Sequence, residues 1–339
     1  MTTSTGRALA VTAAIALALG LAACGPDALP EPSAEPAPET PVAVLNDEQL
    51  QRILGSVSET LVAADAASAA DQLEGRVSGP ARTMREAEYA LAAATGGANT
   101  VTPLATDAQV AIVAATSEWP RLANVVTTIP EGTNLPLLIT LVQDNARANY
   151  QLWSWVRLLP GVQLPATVNP TIGSPVIAAD SDALRTTPAL TLERYADVLG
   201  KGDGSEFAAE FAADVFRTKL RETFTALSTG VSQAGTAEQT ATVRDAGVQS
   251  LGTNDGGAIV VGAIDQTLTI KRTVADSTLE VGGGLTYGGA AQVKGTLTAT
   301  YVITVAFHVP PAGSDQPTQV LGAEQVLTGV TRDDSTSPD

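Results

Sequence analysis

Cysteine occurs once in the 339 residues, at position 24, and its setting gives it a chemistry. Leu21-Ala22-Ala23-Cys24 follows Arg7 and an apolar run from Ala8 to Ala23. This is the order of a secretory leader, with a basic start, a hydrophobic centre and small residues before the cut. The four residues ending at Cys24 match a bacterial lipobox, in which the thiol is acylated and becomes the new N-terminus. The apolar run falls short of the roughly 20 residues a transmembrane helix needs. Each lipid chain adds about 0.8 kcal/mol per buried methylene, so a multiply acylated Cys24 holds a protein firmly at a membrane. Once Cys24 is acylated no thiol remains for disulfides, nucleophilic catalysis or metal ligation.

The other reactive residue types are sparse. His308 is the only histidine, so any histidine-dependent triad has to use it, and no Gly-x-Ser-x-Gly elbow is present. It stands at a predicted strand end before Val309-Pro310-Pro311 and reads as a surface residue. Zinc prefers Cys and His ligands, and Asp255-Gly256-Gly257 and Asp333-Asp334 lack the spacing of a calcium loop, so no metal and no cofactor are expected. The Gly200-Lys-Gly-Asp-Gly204 loop lacks Walker A order and reads as a helix connector. Asp265, Glu193 and Asp197 fall on polar faces, which leaves no buried carboxylate pair for acid–base work. Aromatic residues are the remaining candidates, for binding a ligand. Trp153 and Trp155 share one face of a strand by simple alternation, and Phe207, Phe211, Tyr301 and Phe307 are placed to line an apolar cavity.

The elements that carry these residues can be read from periodicity. Pro26, Pro30, Pro32, Pro36, Pro38 and Pro41 lie among alanines and glutamates after the leader. That composition suits an extended tether, on the order of 60 Å at about 3.1 Å per residue. Asn46 and Gln49 form a capping box ahead of Leu50, Ile53, Leu54, Val57 and Leu61 at helical spacing. A second helix is expected over 80–93, then strands at 110–115, 122–129, 135–142 and 150–159. The later part repeats this order. Thr191 is expected to cap a short helix, and a longer helix carries Phe207, Phe211, Val215, Leu220, Phe224 and Leu227 as its buried stripe. Strands follow near 259–274, 291–309 and 319–330. In the strand over 291–309, Val293, Leu297, Ala299, Tyr301, Ile303, Val305 and Phe307 alternate with polar residues, with Gly295 a candidate bend.

Arg82-Thr83-Met84-Arg85-Glu86 with Ala90-Leu91 resembles Arg217-Thr218-Lys219-Leu220-Arg221-Glu222 with Ala226-Leu227, one residue being inserted. The expected fold class is therefore α+β, two tandem domains, each with N-terminal helices followed by a bent antiparallel sheet. The boundaries are a signal peptide over 1–23, a Pro/Ala-rich tether over 24–45, a first domain over 46–168, a linker over 169–188, a second domain over 189–331 and a disordered tail over 332–339. Helices followed by a meander of long bent strands resemble the cone-shaped NTF2-like fold. With lysine only at 201, 219, 271 and 294, and a block from Leu137 to Pro165, the chain also resembles uncharacterised lipoproteins exported by actinobacteria.

Acidic residues outnumber basic ones by 36 to 19, a net charge of −17, and loss of Arg7 with the leader makes it −18. That balance excludes nucleic acid as an expected partner. The expected function is a non-enzymatic interaction or ligand-binding module of the cell envelope, on the extracytoplasmic face and anchored through Cys24. Its expected partners are the membrane, an envelope protein or an apolar small molecule. The alternatives are a carrier of an apolar molecule or lipid in the second domain's cone and an NTF2-like isomerase or hydro-lyase.

Overall fold

The computed structural model describes residues 40–287 and 289–339. The leader, Cys24 and the tether as far as residue 39 lie outside the described residues. Among the described residues four α-helices and ten strands make a mixed α+β structure. Helix α1 spans Asp47–Ala67 and starts at the expected capping box, with Asn46 Oδ1 accepting from the Gln49 N–H and Gln49 Oε1 from the Asn46 N–H, both at 2.9 Å. Helix α2 spans Gly79–Ala94 with Pro80 in its first turn, where the missing N–H costs no hydrogen bond. A meander of strands follows: β1 (Ala108–Ala115), β2 (Arg121–Thr127), β3 (Leu137–Gln143) and β4 (Gln151–Leu158).

After the short β5 (Ser174–Pro175), helix α3 runs over Pro188–Lys201. Its cap is Thr187, not Thr191, because Pro188 at the first helical position sets the start four residues earlier and Thr191 is buried inside the helix. Helix α4 (Val215–Val231) is likewise shorter than expected. Asp214 caps it by accepting from the Arg217 N–H at 2.6 Å, so Phe207 and Phe211 precede the helix and Val215 is exposed. Strands β6 (Gly235–Val243), β7 (Gln249–Gly252), β8 (Ala258–Arg272), β9 (Thr296–Val309) and β10 (Gln319–Asp333) complete the chain.

The strands of the two stretches join in a single sheet, where one sheet for each was expected. Its order is β5-β1-β2-β3-β4-β10-β9-β8-β6, with β7 also on β8. The junction is antiparallel pairing of Leu158 with Gly322 and Arg157 with Ala323. At the other end β5 pairs with β1, and the adjoining Val176 bridges Leu251 of β7, so the hydrogen-bonded strands return on themselves. One apolar cluster accordingly takes Ile112, Leu122, Leu138, Val156, Leu251, Ile259, Ala306 and Leu321 from eight different strands. The helices lie outside this circuit. Helix α1 packs its Leu50, Leu54, Val57 and Leu61 stripe on β1–β4, and α3 packs Leu192, Tyr195 and Leu199 on the other half. Helix α2 packs on β4, β10 and β9. Gly262 lets α3 approach β8, since a Cβ there would stand 2.5 Å from Leu192 Cδ2.

The alternation in β9 holds from Thr296 to Tyr301 and then ends, because Val302 to Ala306 are buried on both faces. Thr304, expected on the wetter face, is fully buried and donates to the Trp155 carbonyl at 2.6 Å. The bend was expected at Gly295, which precedes β9. The register irregularities fall instead in β10, between Val320 and Gly322 and between Leu327 and Gly329.

Candidate functional site

The aromatic residues singled out from sequence do not share one cavity. The β3–β4 register steps from Thr140–Ser154 to Leu141–Leu152, leaving Trp153 as the extra residue of a β-bulge. Alternation is broken there, so Trp153 joins the inner cluster and Trp155 the cluster under α1 and α2, on opposite faces rather than one. Phe211 and Phe307 pack with Tyr195 at centroid distances of 5.1 Å each, a filled aromatic core. Phe207 is half-buried with the Arg194 guanidinium 5.1 Å from its ring centroid. Tyr301 alone faces an opening, a cavity of about 80 Å³ between α4 and the sheet that it shares with Phe224, Gln266 and Gln325.

A larger opening of about 390 Å³ lies where the start of α1, the segment before α2 and the ends of β2, β3 and β4 converge. This volume falls within the usual range for small-ligand sites. Its donors are Arg52 from the second turn of α1, Arg76 two residues before the cap of α2, Arg121 at the first position of β2, Gln143 at the end of β3, and Asn149 and Tyr150 from the turn into β4. Among the described residues no Asp or Glu lines it. Arg76 donates to the Tyr150 carbonyl at 3.4 Å, and Gln143 donates to the Ala148 carbonyl at 2.7 Å, which fixes the turn. The Arg121 guanidinium lies 4.2 Å from the Trp119 ring centroid, a stacked arrangement that fixes its plane. Among the described residues neither Arg121 Nε nor the Tyr150 hydroxyl has a hydrogen-bond partner, although both atoms are buried. Burial, offset in part by Arg121, pushes the Tyr150 hydroxyl up to about 12, so it stays a neutral donor at physiological pH.

Several arginines elsewhere are paired with carboxylates, Arg85 with Asp65 and Glu88 at 2.7 Å each, Arg194 with Glu210 and Arg244 with Asp265, whereas Arg185 and Arg332 donate to backbone carbonyls. Arg52, Arg76 and Arg121 have no carboxylate within 4.0 Å among the described residues. The only hydroxyl besides Tyr150 in the lining is Ser56, which donates to the Arg52 carbonyl and has no base beside it. The chemistry on offer is binding. Sequence reasoning missed this site because its arginines are far apart in the chain, and Arg52 reads as the i,i+4 partner of Glu48 on a solvated face.

The remaining polar groups lie apart from this opening. His308, read as a surface residue, is largely buried, with Nε2 3.0 Å from Asp255 Oδ2, though not aligned for a hydrogen bond. Glu324 on β10 is largely buried beside Arg157, and burial pushes its carboxyl up to about 7. Asp265 is paired with Arg244 at 2.6 Å, and Asp197 with Lys201 at 2.5 Å. Among the described residues no group of three His, Cys, Asp or Glu side chains is placed to hold a metal ion, and no helix is long and apolar enough to cross a membrane.

No curated protein and no solved structure matches this chain. A family does match, over residues 41–332, a span that takes in all four α-helices of the described residues and all but the last residue of β10. The chain belongs to that family, described as a domain of unknown function (DUF8094).

Proposed function

We propose that this chain is a lipoprotein anchored through Cys24 on the extracytoplasmic face of the membrane, where it serves as a non-enzymatic ligand-binding module of the cell envelope. The pocket bounded by Arg52, Arg76 and Arg121 carries the reading, being large enough for a small molecule and furnished with donors but with no acid–base pair. The lipobox, the proline-rich tether and the likeness to exported actinobacterial lipoproteins support the location. The pocket is preferred to the cone of the second half as the ligand site. The 80 Å³ under α4 is well below the roughly 300 Å³ at which ligand sites begin. Strand order around the β4–β10 junction is symmetric, β1-β2-β3-β4 against β6-β8-β9-β10. That symmetry supports reading the halves as duplicated NTF2-like units fused along their last strands.

Two measurements test the proposal. Palmitate labelling and fractionation of wild-type and Cys24→Ser proteins should give a labelled membrane form only with the cysteine; label in the variant refutes the anchor. Mass spectrometry of small molecules released from the purified full chain should recover one that Arg121→Gln fails to retain. Equal retention by wild type and variant removes the pocket from the function.

A further inference from the structure

We propose that the ligand of this pocket carries a phosphoryl group, as a phosphate monoester or diester, held by Arg52, Arg76 and Arg121 with the Tyr150 hydroxyl. This rests on the ligand-binding reading above and names the class of ligand. In a chain of net charge −17 the surrounding field repels anions, so three guanidiniums lining one opening, with no carboxylate beside them among the described residues, form a local reversal of sign. Each guanidinium presents a planar fork of donors that matches oxyanions. A carboxylate has two oxygens and is occupied by one such fork, whereas the several terminal oxygens of a phosphoryl group serve three guanidiniums and a hydroxyl at once. Tyr150 is only 5% exposed, and among the described residues its hydroxyl lacks a partner, as does the buried Arg121 Nε. Unmade hydrogen bonds at buried donors are costly, and an oxyanion in the pocket offsets that cost. Gln143 and Asn149 are tied to backbone carbonyls and frame the opening, and the Trp119 ring stacks on the Arg121 guanidinium. The volume of about 390 Å³ exceeds a bare phosphate, leaving room for the organic part of an ester. The same chemistry is offered by a lipid headgroup or by a soluble phosphoester.

Calorimetric titration of the full chain with glycerol 3-phosphate, and with glycerol as the uncharged control, tests the assignment. The expected result is saturable binding of the phosphoester alone, weakened roughly tenfold or more in each of Arg52→Gln, Arg76→Gln and Arg121→Gln. Lys271→Gln removes an exposed charge on the far half and should leave the affinity unchanged. Circular dichroism and melting of each variant check folding, and Arg52, exposed on α1, supplies a variant whose fold is not at stake. Vesicles of phosphatidylcholine with and without phosphatidic acid identify the source. Binding to the acidic vesicles that glycerol 3-phosphate displaces assigns a headgroup, and solution binding without vesicle binding assigns a soluble ester. Absence of saturable binding to both phosphate probes, no loss in the arginine variants, or an equal loss in Lys271→Gln overturns the proposal. Recovery of a neutral ligand held through Arg121 overturns the phosphoryl assignment and leaves the binding module standing. Failure of palmitate labelling overturns the anchor alone.

Discussion

Glu324 should make the protein less stable as the pH rises from 5 to 8, and Glu324→Gln should abolish that part of the dependence. The carboxyl is 18% exposed, its Oε2 lies 3.5 Å from Arg157 Nε, and it makes no hydrogen bond there. Burial is the largest influence on it, opposed by Arg157 and reinforced by Glu88, and the outcome is a rise from 4.5 to about 7. The folded protein thus holds its proton more tightly than the unfolded chain does. Between these two values the folded state carries more protons, so stability falls across the window and remains lower above it. At about 1.36 kcal/mol per unit, the rise corresponds to at most about 3 kcal/mol, and relaxation around the carboxylate brings the expected effect to about 1–3 kcal/mol. Glutamine imitates the protonated acid in shape and charge. Urea unfolding of wild type and Glu324→Gln at pH 5, 6, 7 and 8 gives the difference directly, other titrating groups cancelling between the two proteins. The variant should lie closest to wild type at pH 5, where the loss has only begun, and its margin over wild type should grow to about 1–3 kcal/mol at pH 8. A variant that loses stability relative to wild type as the pH rises would show that the ion pair with Arg157 governs Glu324, and the reasoning from burial would fail.

Other substitutions probe the packing around the two helices of the first half. Gly79 adopts a φ of +54°, and a Cβ there would stand 2.6 Å from Trp153 Cδ1. Gly79→Ala should cost about 1–3 kcal/mol in urea unfolding, and an unchanged midpoint would contradict the close approach. Arg85, 1% exposed, joins Asp65 on α1 to Glu88 on α2 and also donates to the Thr102 carbonyl. Arg85→Met leaves Glu88 buried without its cation and should cost about 3–5 kcal/mol. Adding Glu88→Gln should recover part of the loss, and a double variant no more stable than the single one would contradict the charge argument.

Most elements of the first half were legible because their side chains alternate or recur cleanly. The capping box at Asn46 and the apolar stripe of α1 needed no tertiary information. Thr187 was obscured by a second threonine at a plausible cap, and α4 was drawn too long because Phe207 and Phe211 continue its periodicity into a turn. Strand β6 carries alanines, threonines and glutamine where aliphatic residues would announce a buried face, and β7 has only four residues. The single sheet depends on pairing between Leu158 and Gly322, a long-range choice with no local signature. The same holds for the site. Tryptophan and phenylalanine drew attention as binding residues, yet the bulge at Trp153 and the packing of Tyr195 with Phe211 and Phe307 place most of them in the core. Arginines at 52, 76 and 121 gave no linear pattern and meet only when α1 and the meander are assembled.

Whether the protein engages its ligand in this pocket can be read from arginine footprinting. Phenylglyoxal modification of the full chain, read by peptide mass spectrometry with and without glycerol 3-phosphate, reports each guanidinium separately. The predicted result is protection of Arg52, Arg76 and Arg121 together, with the exposed Arg147 reacting at an unchanged rate. Uniform rates at all four, or protection confined to arginines outside the pocket, would contradict it.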